Sequence, residues 1–78
     1  MEFFVCPCTE TGNVILDGND QGPNMDSSGN LLTKQCNVGL HTISLNCPSG
    51  KKCLPTQVKI EMEDTDPISP MEVPFKCV

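Results

Sequence analysis

Cysteine is the residue type in this sequence with the widest chemistry, because a thiolate can bind a metal, attack a substrate or form a disulfide. The chain has 78 residues and six cysteines: Cys6, Cys8, Cys36, Cys47, Cys53 and Cys77. Structural zinc sites take their ligands from cysteine pairs spaced for a tight turn. Neither Cys6 with Cys8 nor Cys47 with Cys53 has that spacing, and the chain has one histidine. The sequence therefore predicts no metal site and no cofactor.

The even number of cysteines in so short a chain favours three disulfides instead. The chain has no Trp and no Tyr and only three Phe, so its core is thin and disulfides would supply the missing stability. The pairing stays open, although Cys6 and Cys8 are expected to bond to different places because a bridge between them would be strained. Disulfides predict a secreted, extracellular protein. The residues before Cys6 do not resemble a signal peptide, so we expect a mature form.

Other side chains offer less chemistry. The segment Asp17–Gly22 resembles the start of a calcium loop, but Ser28 stands where the closing glutamate belongs, so a turn-rich loop is the better interpretation. His41 lies in a predicted strand and is expected to be a packed or surface histidine. The acids Glu61–Asp66 are typical of a solvated face.

The chain also lacks the side chains of a catalytic site. It has one histidine and no arginine, so we expect no enzyme activity and no catalytic residue.

Three regions are candidates for binding a partner protein. The first is the tip Cys47–Pro55, a loop bounded by cysteines that exposes Lys51, Lys52 and Leu54. A rigid loop of this kind fits a protease cleft with little loss of entropy, so serine-protease inhibition through Lys51 or Lys52 is one hypothesis; lysines that only maintain solubility are the alternative. The second is the polar loop Gly18–Asn30. The third is the N-terminal pair Phe3 and Phe4, which either anchor an interface or complete the core. We expect one of them in the core.

These residues would be positioned by short β-strands. Val58, Ile60 and Met62 alternate with polar residues, which is the pattern of a half-buried strand, and Leu40–Met62 is predicted to form a β-hairpin with a long tip. Further extended segments are predicted at Phe3–Val5, Asn13–Asp17 and Glu72–Lys76, the last of them an edge strand because of Pro74. Long loops are predicted at Gly18–Asn30 and Glu63–Met71. The predicted fold is a single small all-β, disulfide-rich domain, with antiparallel hairpins, long loops and three disulfides.

The charge of the chain narrows the class of partner. Ten acids against five lysines give a net charge of −5. This balance argues against nucleic acid and against anionic membranes as partners, and no apolar run is long enough to span a bilayer. A partner surface that is neutral or basic is expected from the overall charge. We expect the chain to be a monomer.

The arrangement of the cysteines along the chain also resembles that of a known group of proteins. The N-terminal Cys6-Pro7-Cys8, the near-terminal Cys77 and the acidic, arginine-free composition resemble small secreted cysteine-rich proteins from the saliva of blood-feeding arthropods. In size and cysteine number the chain is similar to the tick inhibitors of the fifth complement component. The resemblance implies a complement or host-immune antagonist that binds its target non-covalently and blocks its activation. It covers the cysteine frame alone, so it assigns no binding residue.

Overall fold

The computed structural model describes residues 1–78, which form β-strands joined by loops. The strands are β1 (Glu2–Val5), β2 (Asn13–Leu16), β3 (Asn19–Pro23), β4 (Lys34–Cys36), β5 (Gly39–Asn46), β6 (Cys53–Leu54), β7 (Val58–Met62), β8 (Met71–Glu72) and β9 (Lys76–Cys77). They form a four-stranded sheet, a three-stranded sheet and a two-stranded ribbon. The predicted class, a small all-β domain with antiparallel hairpins, is confirmed. The structure contains no helix that could span a membrane.

The four-stranded sheet has the order β3-β2-β5-β7 and is antiparallel throughout. The hairpin predicted over Leu40–Met62 is confirmed, since β5 and β7 pair with Gly39 opposite Met62 and Ile43 opposite Val58. Side chains alternate between the two faces of a strand. Ile43 is consequently buried in the core, whereas Leu40 is exposed on the outer face.

The loop predicted over Gly18–Asn30 is wrong in its first half, because β3 occupies much of it. Leu16 at the end of β2 lies opposite Asn19 at the start of β3. The two residues between them, Asp17 and Gly18, have φ values of 50° and 85°. Two consecutive residues with positive φ form the hairpin turn that matches the twist of the flanking strands, and Asp-Gly is one of its preferred sequences. This signal was therefore present in the sequence.

The three-stranded sheet has β1 at its centre, antiparallel to β4 and parallel to β8. The extended segment predicted at Phe3–Val5 is thus confirmed as part of β1. Beyond β8 the chain continues alongside β1, because the N–H of Val73 donates to the carbonyl of Val5 at 2.9 Å and that of Phe75 to the carbonyl of Pro7 at 2.9 Å.

The single strand predicted over Glu72–Lys76 is divided into two. β8 lies at the edge of the three-stranded sheet, while β9 pairs with β6 in the separate ribbon. Pro74 lies between them and has no N–H to donate, so it interrupts the ladder at the point where the chain leaves one sheet for the other. The edge position expected from Pro74 is confirmed for β8.

The core is built from side chains of all three sheets. Its fully buried apolar side chains are those of Phe4, Val14, Ile43, Met62 and Val73. The predicted connection Glu63–Met71 runs outside the core without a strand until β8 begins. It is fastened to β1 by Thr65, whose N–H and hydroxyl both donate to the carboxylate of Glu2, at 2.9 and 2.6 Å. These hydrogen bonds lower the pKa of Glu2.

Candidate protein-binding surface

The cysteine-bounded tip and the C-terminal strand form one surface. β6 and β9 pair with Cys53 opposite Cys77 and Leu54 opposite Lys76. The pairing extends one residue further, since the N–H of Lys52 donates to the carbonyl of Val78 at 2.7 Å and that of Val78 to the carbonyl of Lys52 at 2.8 Å. Residues 52–54 and 76–78 thus make a two-stranded ribbon.

The two faces of this ribbon differ in character. Alternation places Cys53 and Cys77 on the inner face, where Cys77 is buried. The outer face carries two apolar side chains, Leu54 at 49% and Val78 at 55% exposure. We call the exposed side chains of the ribbon and the adjacent turn the tip patch; its members are Lys51, Lys52, Leu54, Lys76 and Val78.

A disulfide and a turn hold the tip patch in place. The bond between Cys47 and Cys77 joins the start of the tip to the C-terminal strand across a Cα–Cα distance of 5.8 Å. The N–H of Lys51 donates to the carbonyl of Pro48 at 3.1 Å, which closes a turn. Gly50 within that turn has a φ of 84°, a conformation that glycine adopts without steric cost. The tip is therefore fixed at both ends.

The tip patch is locally cationic although the chain is acidic. It holds three of the five lysines, and one of them, Lys51, lies 3.3 Å from the carboxylate of Glu10. Both side chains of this pair are partly exposed, so its contribution to stability is small. The local charge of this surface is therefore opposite in sign to the net charge of the chain.

The cysteines form one bond where three were expected. The structure has the disulfide between Cys47 and Cys77, and the other four cysteines (Cys6, Cys8, Cys36 and Cys53) are thiols. The prediction of three disulfides is therefore corrected to one. A single disulfide is compatible with an extracellular protein.

Cys8 lies directly beside this disulfide. Its thiol donates to the sulfur of Cys77, with 3.6 Å between the two Sγ atoms. Cys6, two residues earlier, is instead fully buried. The two do not bond to each other, but neither forms the disulfide to a separate segment that was expected. Burial raises the pKa of the Cys6 thiol to about 12, so it is not a nucleophile at neutral pH.

The N-terminal candidates lie apart from the tip patch, in the three-stranded sheet. Phe4 is fully buried in the core, so it has no surface with which to contact a partner, and its assignment as a binding candidate is corrected. Phe3 is half-buried, and its N–H donates to the hydroxyl of Thr65 at 2.8 Å. One phenylalanine in the core was expected, and that expectation is confirmed.

His41 takes part in a polar pair rather than a site. Its Nδ1 lies 2.6 Å from a carboxylate oxygen of Asp17, and its Nε2 lies 2.6 Å from the carbonyl of Asn37. The second carboxylate oxygen of Asp17 accepts from the N–H of Thr42 at 2.9 Å. The hydrogen bond to Asp17 raises the pKa of His41, and the bonds from Thr42 and His41 lower the pKa of Asp17. The pair fastens the β2–β3 turn to β5.

Sequence reasoning identified part of the tip patch and missed the rest. Lys51, Lys52 and Leu54 were predicted from the cysteine-bounded loop, but Lys76 and Val78 were not. These two join the patch because distant segments of the chain pair with each other, and no local sequence pattern predicts that pairing. The Cys47–Cys77 bond joins the tip to the C-terminal strand, but the sequence left the pairing of the cysteines open.

Comparisons of the chain with protein-family models, with curated proteins and with solved structures found no match. No group of three or more histidine, cysteine, aspartate or glutamate side chains is arranged to hold a metal ion.

Proposed function

We propose that the protein is a secreted inhibitor that binds a host extracellular protein through the tip patch. The observation that carries the proposal is the outer face of the β6–β9 ribbon, where Leu54 and Val78 are exposed between lysines. Apolar side chains grouped on a surface favour contact with another protein, and a charged rim around them gives the contact specificity.

The rigidity of the tip supports this proposal. A loop that is already fixed before binding loses little conformational entropy in the complex. The Cys47–Cys77 bond and the paired backbone of Lys52 and Val78 supply that fixation. The partner is accordingly expected to present an acidic rim to the lysines and an apolar depression to Leu54 and Val78.

The resemblance to tick complement inhibitors supports a target class. In this proposal the protein binds the fifth complement component and blocks its cleavage by steric means, with no covalent step. No side chain of the tip patch would act as an acid, base or nucleophile. Inhibition would then depend on occupancy alone and would be reversed when the complex dissociates.

Binding and haemolysis measurements test the proposal. The chain is immobilised, the purified fifth complement component is passed over it, and haemolysis is measured in serum with the free chain. We expect binding and loss of haemolysis for the natural sequence. The double variant Lys52→Glu with Leu54→Ser should bind at least about tenfold more weakly, since it reverses one rim charge and removes an apolar anchor.

A matched control makes the same two changes elsewhere. Ile68 is 93% exposed and Lys59 is exposed on β7, so Lys59→Glu with Ile68→Ser should bind as the natural sequence does. Equal weakening in both variants would overturn the tip patch as the binding surface. Haemolysis that the natural sequence leaves unchanged, together with no binding, would overturn the complement target.

A second candidate is a serine-protease inhibitor that presents Lys51 or Lys52. The closed turn Pro48–Lys51 and the exposure of the Lys51 side chain, 43%, favour it. Lys52 is the weaker candidate of the two, because its backbone already pairs with Val78 and is not free to pair with a protease.

A trypsin-like enzyme with a small chromogenic substrate separates the two candidates. A protease inhibitor occupies the enzyme's active site, so it slows cleavage of the small substrate, and replacing both lysines by alanine abolishes the effect. A binder of the fifth complement component leaves that cleavage unchanged while it still suppresses haemolysis.

A further inference from the structure

The outer edge of β7 is the open edge of the four-stranded sheet. β7 is the last strand in the order β3-β2-β5-β7, and neither a backbone nor a side-chain hydrogen bond reaches its outer side. The opposite edge is β3, which is partly blocked: Pro23 has no N–H, and the carbonyl of Gln21 accepts from the ammonium group of Lys34 at 2.9 Å. One edge of this sheet is thus free to pair.

The hydrogen-bond register identifies the backbone groups that point outward from β7. The carbonyl of Thr42 accepts from the N–H of Asp17 at 2.8 Å, so on β5 the groups of Thr42 point toward β2. The groups of its neighbours on β5, His41 and Ile43, therefore point toward β7. These two lie opposite Ile60 and Val58.

Val58, Ile60 and Met62 consequently use their backbone groups inside the sheet. Lys59 and Glu61 lie between them, so their N–H and C=O groups point to the open edge. Both side chains are exposed on the outer face, and neither forms an ion pair within the chain. The edge thus offers two donors, two acceptors and two opposite charges.

From this arrangement we propose that the protein forms a symmetric dimer through antiparallel pairing of β7 with β7 of a second copy. If the two strands are centred on Ile60, Lys59 of each copy lies opposite Glu61 of the other. Both residues have outward backbone groups, so each of these two positions forms a pair of N–H···O=C bonds. On the other face the half-buried side chain of Ile60 lies next to Ile60 of the second copy.

Charge selects this register over its neighbours. A shift that centres the pairing on Lys59 or on Glu61 also matches the backbone groups, but it places two like charges directly opposite each other, which is destabilising. Centring on Ile60 is the register in which both charge pairs attract. A two-fold axis requires a self-complementary surface, and the sequence Val58-Lys59-Ile60-Glu61-Met62 supplies one.

The dimer should be weak. One strand on each side buries less area than a stable interface requires, which is typical of transient contacts. Each chain also carries a net charge of −5, so salt at about 0.15 M is needed to screen the repulsion between copies. We expect dissociation constants above about 1 μM. The dimer differs from the monomer expected from the sequence, and it does not depend on the proposed function.

Sedimentation equilibrium of the purified chain over a range of concentrations tests the proposal. The mass should rise from 8.5 kDa toward twice that value as the concentration increases. Lys59→Glu should weaken the dimer at least about tenfold, because both charge pairs become repulsive. The double swap Lys59→Glu with Glu61→Lys restores the opposite charges, so it should recover the dimer.

A control makes the same charge change outside the edge. Lys76→Glu, in the tip patch, should leave the dimer unchanged. A chain that remains monomeric at millimolar concentration would overturn the proposal, as would a dimer that Lys59→Glu leaves intact or that the double swap does not rescue. Both edge positions are exposed, so these variants are expected to fold, which circular dichroism would verify.

Discussion

The side-chain carbonyl of Asn24 accepts a hydrogen bond from the N–H of Gly12 at 3.0 Å, and both residues are buried. The amide nitrogen of Asn24 donates to the carbonyls of Cys6 at 2.9 Å and Glu10 at 3.4 Å. Residues 6–12 form no strand, so the N–H of Gly12 and the carbonyls of Cys6 and Glu10 are not paired within a sheet. Asn24 supplies partners in place of a sheet and holds the segment that carries Cys8 against the body of the protein.

Replacing Asn24 should therefore be strongly destabilising. Asn24→Ala removes three hydrogen bonds and leaves the buried N–H of Gly12 without a partner, so we expect a loss of about 2–4 kcal/mol in the free energy of unfolding. Urea unfolding measures it. The control is Asn19→Ala, since Asn19 is exposed and makes one long side-chain bond of 3.5 Å; its loss should stay within about 0.5 kcal/mol. Similar losses in the two variants would contradict the role assigned to Asn24.

The position of Cys8 predicts a change of disulfide partner. With Sγ atoms 3.6 Å apart, Cys8 is the nearest replacement for Cys47 as the partner of Cys77. We expect Cys47→Ser to form a Cys8–Cys77 bond in the presence of oxidised glutathione, as peptide mapping without reductant would show. Cys8→Ser should keep the original bond. The prediction fails if Cys47→Ser leaves Cys8 and Cys77 both reactive toward iodoacetamide.

The four thiols should differ in reactivity. Burial raises the pKa of Cys6 from 9.0 to about 12, which lowers its thiolate fraction at neutral pH about a thousandfold. Burial also raises the pKa of Cys36, as do the nearby charges of Glu2 and Asp17. Cys8 and Cys53 are half-buried. Timed alkylation with mass spectrometry at pH 7.5 should therefore label Cys8 and Cys53 well before the other two; the opposite order would contradict the buried positions.

The hydrogen-bonded pair of His41 and Asp17 is expected to stabilise the fold within a limited range of pH. The raised pKa of His41 means that its contribution is present below the ordinary histidine value of about 6.5 and is lost as the pH rises through the raised pKa. The lowered pKa of Asp17 means that its contribution is present above the ordinary value of about 3.8 and is lost as the pH falls through the lowered pKa. The pair should stabilise most between about pH 4 and 6.5.

An NMR titration of the His41 imidazole checks this assignment. Its pKa should lie above 6.5 in the natural sequence and should fall in Asp17→Asn. Asparagine tolerates the positive φ of 50° at this turn, so the variant removes the charge and keeps the backbone. An unchanged imidazole pKa in Asp17→Asn would show that the pair does not form in solution.

The elements that could be predicted from the sequence are those with local signals. Alternation of apolar and polar residues over Val58–Met62 identified β7, and turn residues after Cys47 identified the hairpin tip. β3 was missed because its residues, Asn19–Pro23, lack the apolar alternation of a strand, although Asp17 and Gly18 marked the turn before it. No local sequence pattern predicts that an asparagine is buried. Asn24 is buried because a distant segment needs hydrogen-bond partners, and the sequence cannot show which polar residue supplies them.

The candidate surface was predictable to a similar extent. Lys51 and Lys52 are conspicuous between two cysteines, but the patch acquires its apolar part only when Val78 pairs with Lys52. The net charge of −5 is also an average over the whole chain. It does not describe the few charges that folding brings together on one surface, such as the three lysines of the tip patch.

The parallel pairing of β1 with β8 has a consequence for the order in which the chain is completed during translation. Phe4 lies opposite Met71, so β1 leaves the ribosome before β8 and is flanked on both sides only after β8 has emerged. Pairings between distant segments form slowly because the intervening loop must first close. Until then Phe4 has no complete core around it. The nascent chain therefore exposes the apolar residues of β1 until β8 has emerged, and a chaperone that recognises extended apolar segments would have time to bind them.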